Sequence, residues 1–378
     1  MKYYLIAGEA SGDLHASNLM KGLAAEDPQA QFRFWGGEKM AAVGGELVHH
    51  YKEGAVMGAS EVLRKGGKLL ANLRNCKRDL LAWHPDAVIL VDYPGFNMKI
   101  ARFAHSHGLK VYYYIAPKTW ASREGRNREL KRYVDMLYIV FPFEIPYFES
   151  KGIPFVYKGN PLVEAIDKAD RTPVCEGPSI AILPGSRKAE ISRMMPVCME
   201  VADALHALPA YKDFKFLVAG APSREPQDYQ EWIEPRAAYV SLVFDRTYSV
   251  LSGARAAIVN SGTASLEATL LGTPQVVCWS TSPLTAFLAR KVLRVMDHIK
   301  YVSLANLIAD KLIFKELIQE NFNAPAVTAE LRRLVEDDAV REQMQKDYAS
   351  VRDALGEGAA SREFAKDIIA RTKQSASV

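Results

Sequence analysis

Short apolar runs, separated by longer stretches that mix polar and apolar residues, recur along most of the chain. The clearest is Ala87–Val91, which holds only apolar residues and lies between Pro85 and Pro94. A strand without polar positions is buried on both faces, as in a parallel sheet covered by helices. The same pattern predicts strands at residues 3–7, 32–35, 111–115, 136–140, 180–183, 214–219, 239–244, 256–259 and 275–278.

These strands alternate with helical or loop sequence, which predicts an α/β protein built from Rossmann-like βα units. A Gly-Asn-Pro turn at residues 159–161 and a polar stretch at 167–177 divide the strands into two series. Residues 1–165 are therefore expected to form one domain and residues 175–345 a second. Residues 346–378 form the end of a charged stretch whose apolar residues recur with the period of a helix.

The composition excludes some classes of protein but does not identify the function. The 378 residues are 49% hydrophobic and carry a formal net charge of only +4, which gives no indication of nucleic-acid binding. The four cysteines are scattered, with no pair at zinc-ligand or CxxC spacing, so an exported disulfide framework is not expected. The apolar run at residues 3–7 is too short for a signal peptide or a membrane span. A cytoplasmic protein is expected, with contact to a membrane surface left open.

The first candidate catalytic group is Asp92, which directly follows the buried strand Ala87–Val91. Ligands of open α/β sheets bind at the C-terminal ends of the strands, so Asp92 is either a catalytic base or a helix-capping residue. Glu9 and Ser11 lie in the corresponding turn after the first strand. This turn lacks the further glycines of a GxGxxG fingerprint, so a dinucleotide cofactor is not indicated.

Two turns in the second half have the composition of anion-binding sites. Residues 183–187 (LPGSR) bring a glycine and Arg187 between a strand and a helix, where N–H groups and a guanidinium bind phosphate. In residues 260–267 (NSGTASLE), the small residues Ser261, Gly262 and Thr263 let a diphosphate approach a helix N-terminus. Glu267 follows about one turn later, within reach of ribose hydroxyls. The alternatives are a solvated turn for the first and an ordinary capped helix for the second.

Residues 54–73 combine apolar and basic side chains in a way that admits two interpretations. From Arg64 to Arg78 there are six basic residues and no acidic one. One interpretation is an amphipathic helix with its apolar stripe in the core, and the other is a patch that binds anionic lipid. The apolar residues that would form this patch are Val56, Met57, Val62, Leu63, Leu69, Leu70 and Leu73.

No metal ion is predicted. The eight histidines are dispersed and have no carboxylate or cysteine partners at ligand spacing. No DxD pair follows a strand, which argues against a nucleotide site that depends on Mg²⁺.

Together these segments resemble the lipid-A-disaccharide synthase family, whose members are inverting glycosyltransferases of the GT-B fold. The resemblance covers about residues 5–320, and its motifs occur in the family's order. They are IAGEASGD (6–13), AVMG.SEVL (55–63), DYPGFN (92–97), PKTWA (117–121), FPFE (141–144), LPGSR (183–187), SGTASLE (261–267), YVSLANLI (301–308) and KELIQE (315–320). The chain departs from the family at Ser122, Asn160 and Ala305, where the family often has Trp, His and Pro.

The resemblance implies two Rossmann-like domains facing across a cleft, with the C-terminal helix packing back on the first. It implies that the 6-hydroxyl of 2,3-diacylglucosamine 1-phosphate attacks the anomeric carbon of UDP-2,3-diacylglucosamine, giving a β-1,6-linked disaccharide 1-phosphate and UDP. Asp92 becomes the candidate base, and Glu9 and Ser11 are expected on the acceptor side. The UDP site is expected to contain Arg187, Ser261, Gly262, Thr263, Glu267 and Asn306, without a cofactor.

The acylated substrates make lipid binding the favoured interpretation of residues 54–73. With lipid binding there, the resemblance implies a cytoplasmic protein that associates peripherally with the inner membrane. The resemblance also implies a homodimer and no binding of nucleic acid. One alternative is another GT-B enzyme that uses UDP-N-acetylglucosamine, such as a muramyl-lipid transferase or a 2-epimerase. The other is a non-catalytic nucleotide-sugar-binding protein at the membrane, which would keep Arg187 and Glu267 without requiring Asp92.

Overall fold

The computed structural model describes residues 1–54, 62–121, 124–281 and 300–376, with only the backbone described at 54, 62–66, 375 and 376. The chain divides into two compact units. The first combines Met1–Glu164 with Gly356–Val378, and the second is Ala165–Leu355. Each unit contains a parallel sheet, as the alternation of strands and helices predicts.

Within the described part of the first unit, seven parallel strands form one sheet: β1 (Lys2–Ala7), β2 (Gln31–Gly36), β3 (Glu46–His50), β4 (Ala87–Val91), β5 (Lys110–Tyr114), β6 (Met136–Ile139) and β7 (Phe155–Tyr157). Their order is β3-β2-β1-β4-β5-β6-β7, so the direction of strand addition reverses between β1 and β4. β4 is buried along its whole length, as its uninterrupted apolar sequence predicts.

The helices that follow these strands are α1 (Ala10–Glu26), α2 (Glu38–Ala41), α3 (Val62–Trp83), α4 (Pro94–Ser106), α5 (Arg126–Tyr133) and α6 (Glu144–Lys151). A further helix, α7 (Pro161–Asp167), leads into the second unit. α4 begins with Pro94, whose fixed φ suits the first position of a helix.

In the described residues of the second unit, six parallel strands form the sheet: β8 (Ser179–Leu183), β9 (Lys215–Gly220), β10 (Val240–Phe244), β11 (Ala256–Asn260), β12 (Gln275–Trp279) and β13 (Glu316–Ile318). The order β10-β9-β8-β11-β12-β13 reverses between β8 and β11. The helices are α8 (Lys188–His206), α9 (Gln230–Ile233), α10 (Thr247–Ser252), α11 (Thr263–Leu270), α12 (Leu304–Ala309), α13 (Ala324–Glu336) and α14 (Asp338–Leu355).

The last helix, α15 (Ala360–Ala376), packs on α1 within the first unit. Gly22 allows the close approach, because a Cβ at this position would lie 3.0 Å from the carbonyl oxygen of Ser361. Further along α15, the hydroxyl of Tyr138 donates to Asp367 at 2.8 Å. The C-terminal segment therefore covers part of the first sheet.

The strands predicted from apolar runs are all present, whereas β3, β7 and β13 have no such signal in the sequence. These three strands lie at sheet edges, where a strand has a neighbour on one side only. β3 exposes Glu46 and Leu47, and β7 and β13 have three residues each. Short or half-exposed edge strands do not need the continuous apolar sequence that a central strand requires.

Candidate functional site

The turns after β1 and β4 lie side by side at the C-terminal edge of the first sheet. Because Ala7 is paired with Val91, Gly8 and Asp92 begin the two turns at the same level. Gly8 is required by close packing, since a Cβ here would overlap the ring of Tyr93. Adjacent strands are about 4.8 Å apart, so groups on the two turns can contact one ligand. The reversal of strand order between β1 and β4 is also where ligands of open α/β sheets bind.

Asp92 and Tyr93 both have a left-handed backbone, with φ values of 44° and 48°. This conformation costs about 1–2 kcal/mol for a residue with a side chain, so the surrounding structure must hold it in place. The carbonyl oxygen of Asp92 accepts hydrogen bonds from the Tyr113 hydroxyl at 2.6 Å and from Asn97 Nδ2 at 2.8 Å. The backbone of Asp92 is therefore fixed by two side chains.

Asn97 joins the ends of the two strands. Its side chain is fully buried in the first turn of α4, and Nδ2 also lies 3.3 Å from the carbonyl oxygen of Ile6 and 3.2 Å from that of Val91. Burial raises the pKa of Tyr113 well above its usual value, and the charge of Asp92 contributes. The Tyr113 hydroxyl is therefore protonated and available as a donor. DYPGFN includes Asn97, but Tyr113 sits in an apolar run that gives no functional signal.

Glu9 and Ser11 are exposed at the start of α1. Burial is the main cause of the raised pKa of Tyr93, and the charge of Glu9 is the second cause, which places this carboxylate near the tyrosine ring. Asp13 differs, because its buried carboxylate accepts N–H groups at the start of α2, the nearest being that of Gly37 at 2.8 Å. The turn therefore offers Glu9 and Ser11 to solvent, while Asp13 caps a neighbouring helix.

In the second unit, the turns after β8 and β11 are in contact. Gly185 has a φ of 102°, and a Cβ on it would lie 2.6 Å from Asn260 Nδ2 at the end of β11. The N–H groups of Ser186 and Arg187 donate to Glu190 Oε2 at 3.1 and 3.2 Å. The sequence predicts that these N–H groups bind phosphate, but in the structure a carboxylate of the same helix occupies them.

The side chain of Arg187 is 68% exposed, and its Nη1 donates to Glu190 Oε1 at 3.1 Å. An exposed ion pair of this kind contributes at most about 1 kcal/mol. The guanidinium can therefore exchange Glu190 for an incoming diphosphate at small cost, and it can contact the phosphate through two N–H groups.

The turn after β11 leads through Ser261 and Gly262 into α11, which begins at Thr263. The N–H of Ser261 donates to the carbonyl oxygen of Cys278 on β12 at 3.0 Å. Gly262 is the N-cap residue and has no side chain, so the cap leaves the space above the helix N-terminus open. Small residues around a helix N-terminus suit a phosphate group.

Glu267 lies in α11 beside Tyr248 of α10, whose hydroxyl donates to Glu267 Oε1 at 3.2 Å. Burial raises the pKa of Glu267 to about 7, and the hydrogen bond from Tyr248 lowers it in part. The carboxyl group therefore changes protonation near neutral pH. Tyr248 has no signal in the sequence, because the two residues are brought together by the packing of separate helices.

Asn306 is fully buried in α12 and is held by its own loop. Nδ2 donates to Glu316 Oε1 at 2.9 Å, and Oδ1 accepts the N–H of Ile313 at 2.9 Å. Glu316 also accepts the N–H and the hydroxyl of Ser303. These contacts favour a role for Asn306 in orienting the loop. Glu316 lies in the KELIQE motif, whose sequence alone does not indicate this contact.

The predicted lipid patch falls partly outside the described residues. Val56 and Met57 lie outside them, and for Val62 and Leu63 only the backbone is described. The other three of the seven predicted patch residues differ in burial. Leu69 and Leu70 are 36% and 54% exposed on α3, whereas Leu73 is 6% exposed and belongs to the core.

The assignment of Leu73 to an exposed patch is therefore wrong. Leu73, Cys76 and Leu80 recur at helical spacing and form the buried stripe of α3. Leu69 and Leu70 lie one turn earlier on the helix and reach solvent.

The described residues contain neither a membrane-spanning helix nor a cluster of metal ligands. Among them, no helix has the length and apolar composition needed to span a membrane. In the same ranges, no group of three or more histidine, cysteine, aspartate or glutamate side chains is arranged to hold a metal ion.

Solved structures define the class of protein. The UDP-GlcNAc 2-epimerase from Neisseria meningitidis, solved with UDP-GlcNAc, is similar over 98% of this chain and 100% of its own, with a TM-score of 0.67 and 13% identity. CalG4, the calicheamicin glycosyltransferase, is similar over 97% of both chains, with a TM-score of 0.60 and 16% identity. The chain thus has the two-domain GT-B fold, although identities this low concern the fold alone.

Sequence comparison identifies the family. A family model described as lipid-A-disaccharide synthetase matches residues 3–369. The lipid-A-disaccharide synthase of Geobacter metallireducens is 37% identical over 369 residues, which are 96% of this chain and 94% of the relative. That of Trichlorobacter lovleyi is 33% identical over an alignment of 380 positions, which covers 98% of this chain and 97% of the relative. The chain belongs to the lipid-A-disaccharide synthase family, and it is a glycosyltransferase.

Proposed function

We propose that this enzyme transfers 2,3-diacylglucosamine from UDP to the 6-hydroxyl of 2,3-diacylglucosamine 1-phosphate, forming the β-1,6-linked disaccharide of lipid A. Family membership over nearly the whole chain supports the reaction class. The observation that carries the mechanism is the position of Asp92. It stands on a fixed left-handed backbone at the C-terminal end of β4, beside the turn that holds Glu9 and Ser11.

Asp92 acts as the general base in this proposal. A sugar hydroxyl is a weak nucleophile at neutral pH, and removal of its proton in the transition state accelerates attack by about 10²–10⁴. Asp92 takes the proton as the acceptor O6 attacks the anomeric carbon, on the face opposite to UDP. The bond from that carbon to the phosphate oxygen breaks, and UDP leaves with the electron pair. Glu9 and Ser11 bind acceptor hydroxyls or support Asp92.

The second unit binds UDP. Arg187 and the helix N-terminus formed by Ser261, Gly262 and Thr263 stabilise the negative charge that develops on the diphosphate. Glu267 accepts hydrogen bonds from the ribose hydroxyls. Asn306 acts through the loop that it shares with Glu316, rather than by direct contact with the nucleotide.

The reaction is tested by measuring UDP release with both acylated sugars, and with UDP-N-acetylglucosamine alone. Release that needs both acylated substrates supports the transferase, whereas epimerisation of UDP-N-acetylglucosamine would contradict it. Asp92→Asn should lower kcat by about 10²–10⁴ while UDP binding stays unchanged. Asp86→Asn is the matched control, because Asp86 binds the Lys2 N–H at the opposite end of β4. A kcat for Asp92→Asn that matches the control would exclude Asp92 as the base.

The acylated substrates reside in a membrane, and α3 offers a surface for contact with it. Leu69 and Leu70 are exposed beside the basic residues Lys68 and Arg74, a combination that suits an anionic lipid surface. We propose that the enzyme lies in the cytoplasm and associates peripherally with the inner membrane through this surface. We also propose that it is a homodimer, as the family resemblance implies, which sedimentation at several protein concentrations would test.

A further inference from the structure

Two family motifs without a role in the proposed chemistry meet at the C-terminal edge of the first sheet. PKTWA follows β5, and FPFE follows the neighbouring strand β6. Their contact is a hydrogen bond from the indole Nε1 of Trp120 to Glu144 Oε1, at 3.2 Å. The two loops are therefore joined by a pair of side chains on the same edge as Asp92.

Glu144 is a buried residue rather than a surface residue. Its side chain is 1% exposed, and Oε2 accepts the N–H groups of Val140 and Phe141 at 3.2 and 3.1 Å. A buried carboxylate is costly unless donors surround it, and here three donors do so. Because the backbone of its own loop fixes one oxygen, the other oxygen holds the indole of Trp120 in a defined place.

The indole is part of an aromatic cluster. The rings of Trp120 and Phe143 pack edge to face, with centroids 4.8 Å apart and planes at 81°. Phe143 also stacks on Phe141 at 5.3 Å with nearly parallel planes. Phe141 is buried, whereas Trp120 and Phe143 are partly exposed. Two rigid aromatic surfaces thus reach solvent at this edge.

The cluster lies close enough to Asp92 to contact the same ligand. β6 is two strands from β4, which corresponds to about 10 Å across the sheet. That separation matches the space that a sugar ring with its substituents occupies. A ring held at the cluster would be able to present one of its hydroxyl groups toward Asp92.

We propose that Trp120 and Phe143 form a binding platform for the pyranose ring of the acceptor, with Glu144 as the positioning residue that fixes the indole. One face of a pyranose ring carries C–H groups and packs on aromatic rings, as apolar groups do. The platform shares a unit and a sheet edge with the candidate base, which favours the acceptor over the nucleotide. This inference rests on the proposed function, because it names the binding site of that reaction's acceptor.

The test compares Trp120→Leu and Trp120→Phe with Trp83→Leu in steady-state assays that vary each substrate separately. Trp83 is the matched control, since its ring packs near Tyr4 at the end of α3, just before β4 begins. We expect acceptor KM to rise about tenfold in Trp120→Leu and less in Trp120→Phe, with donor KM within twofold of wild type. An unchanged acceptor KM in Trp120→Leu, or an equal rise in Trp83→Leu, would overturn the platform.

Glu144→Gln separates positioning from simple folding. Burial raises the pKa of Glu144 to about 7, and Lys118 and Tyr157 are the charged and titratable groups that face it. Protonation below pH 7 places a hydrogen on one carboxyl oxygen, and this weakens either the indole contact at Oε1 or the two N–H contacts at Oε2. We expect the wild-type acceptor KM to rise as pH falls from 8 to 6. The KM of Glu144→Gln should be raised and should keep only the part of the pH dependence that comes from the acceptor's own phosphate. A wild-type KM and pH profile in this variant would refute the positioning role.

The outcomes of the two proposals are distinct. Absence of UDP release by the wild type with both acylated sugars would contradict the proposed function and the platform together. Wild-type turnover combined with an unchanged acceptor KM in Trp120→Leu would contradict the platform alone.

Discussion

Replacement of Asn97 by alanine tests whether the candidate base depends on its backbone for position. Nδ2 of Asn97 reaches three carbonyl oxygens, those of Ile6, Val91 and Asp92, and alanine removes both of its N–H groups. The Tyr113 hydroxyl would then remain as the side-chain donor to the Asp92 carbonyl oxygen. The left-handed turn at Asp92 and Tyr93 loses half of its side-chain support.

The expected loss of stability follows from the contacts. Each net hydrogen bond contributes about 0.5–1.5 kcal/mol, and a buried carbonyl left without a donor costs about 1–3 kcal/mol. Asn97→Ala should therefore lower the free energy of unfolding by about 2–4 kcal/mol. The turn would also relax toward ordinary backbone angles, because a left-handed residue costs about 1–2 kcal/mol. A shift of about 1 Å in a catalytic group can lower the rate by about 10²-fold.

Ile100→Ala is the matched control for this loss. Ile100 is fully buried on the same helix, and its truncation costs about 2–5 kcal/mol without removing a contact to Asp92. Thermal unfolding gives the stability of both variants, and kcat is then measured well below both midpoints. We expect similar midpoints, with kcat lowered at least tenfold in Asn97→Ala only. Equal kcat values in the two variants would refute the idea that Asn97 positions the base.

Three further predictions concern the nucleotide site and the membrane surface. UDP affinity should fall about tenfold from pH 8 to pH 6, because protonation of Glu267 at a pKa of about 7 removes the acceptor for ribose. In Glu267→Gln, UDP affinity should lose this pH dependence and keep only the dependence that comes from the titration of UDP itself. Arg187→Ala should weaken UDP binding by at least tenfold in calorimetry, whereas the control Arg193→Ala, on the same helix, should not. If the two variants bind UDP with equal affinity, Arg187 does not belong to the phosphate site. Leu69→Ser combined with Leu70→Ser should leave thermal stability nearly unchanged and reduce co-sedimentation with anionic vesicles, and undiminished vesicle binding would contradict the lipid patch.

The central strands were predictable because burial on both faces leaves only apolar residues. Ala87–Val91 illustrates this, since its sequence and its complete burial correspond directly. Turn residues were predictable for a similar reason: glycine, serine and charged residues between a strand and a helix indicate a helix N-terminus near the sheet edge. The edge strand β3 gave no such signal, because Glu46 and Leu47 are exposed.

Contacts between segments that are distant in the chain could not be predicted from the sequence. Asp13 belongs to the first turn of α1, yet its carboxylate accepts N–H groups at the start of α2. Likewise, nothing near Glu267 in the chain indicates Tyr248, which becomes its partner through the packing of α10 against α11. Helical spacing alone also did not separate Leu73 from Leu70, since only the tertiary structure decides which side of α3 the core covers.

The order of strands explains why the candidate residues found one by one in the sequence form coherent groups. In the first sheet the order reverses between β1 and β4, and Glu9 and Asp92 follow these two strands. In the second it reverses between β8 and β11, and Arg187 and Glu267 follow those. At such a reversal the helices that follow the two strands depart to opposite faces of the sheet, which leaves a crevice between the turns. The acid–base chemistry that we propose for one unit and the anion binding that we propose for the other therefore both lie at a point where the backbone leaves room for a ligand.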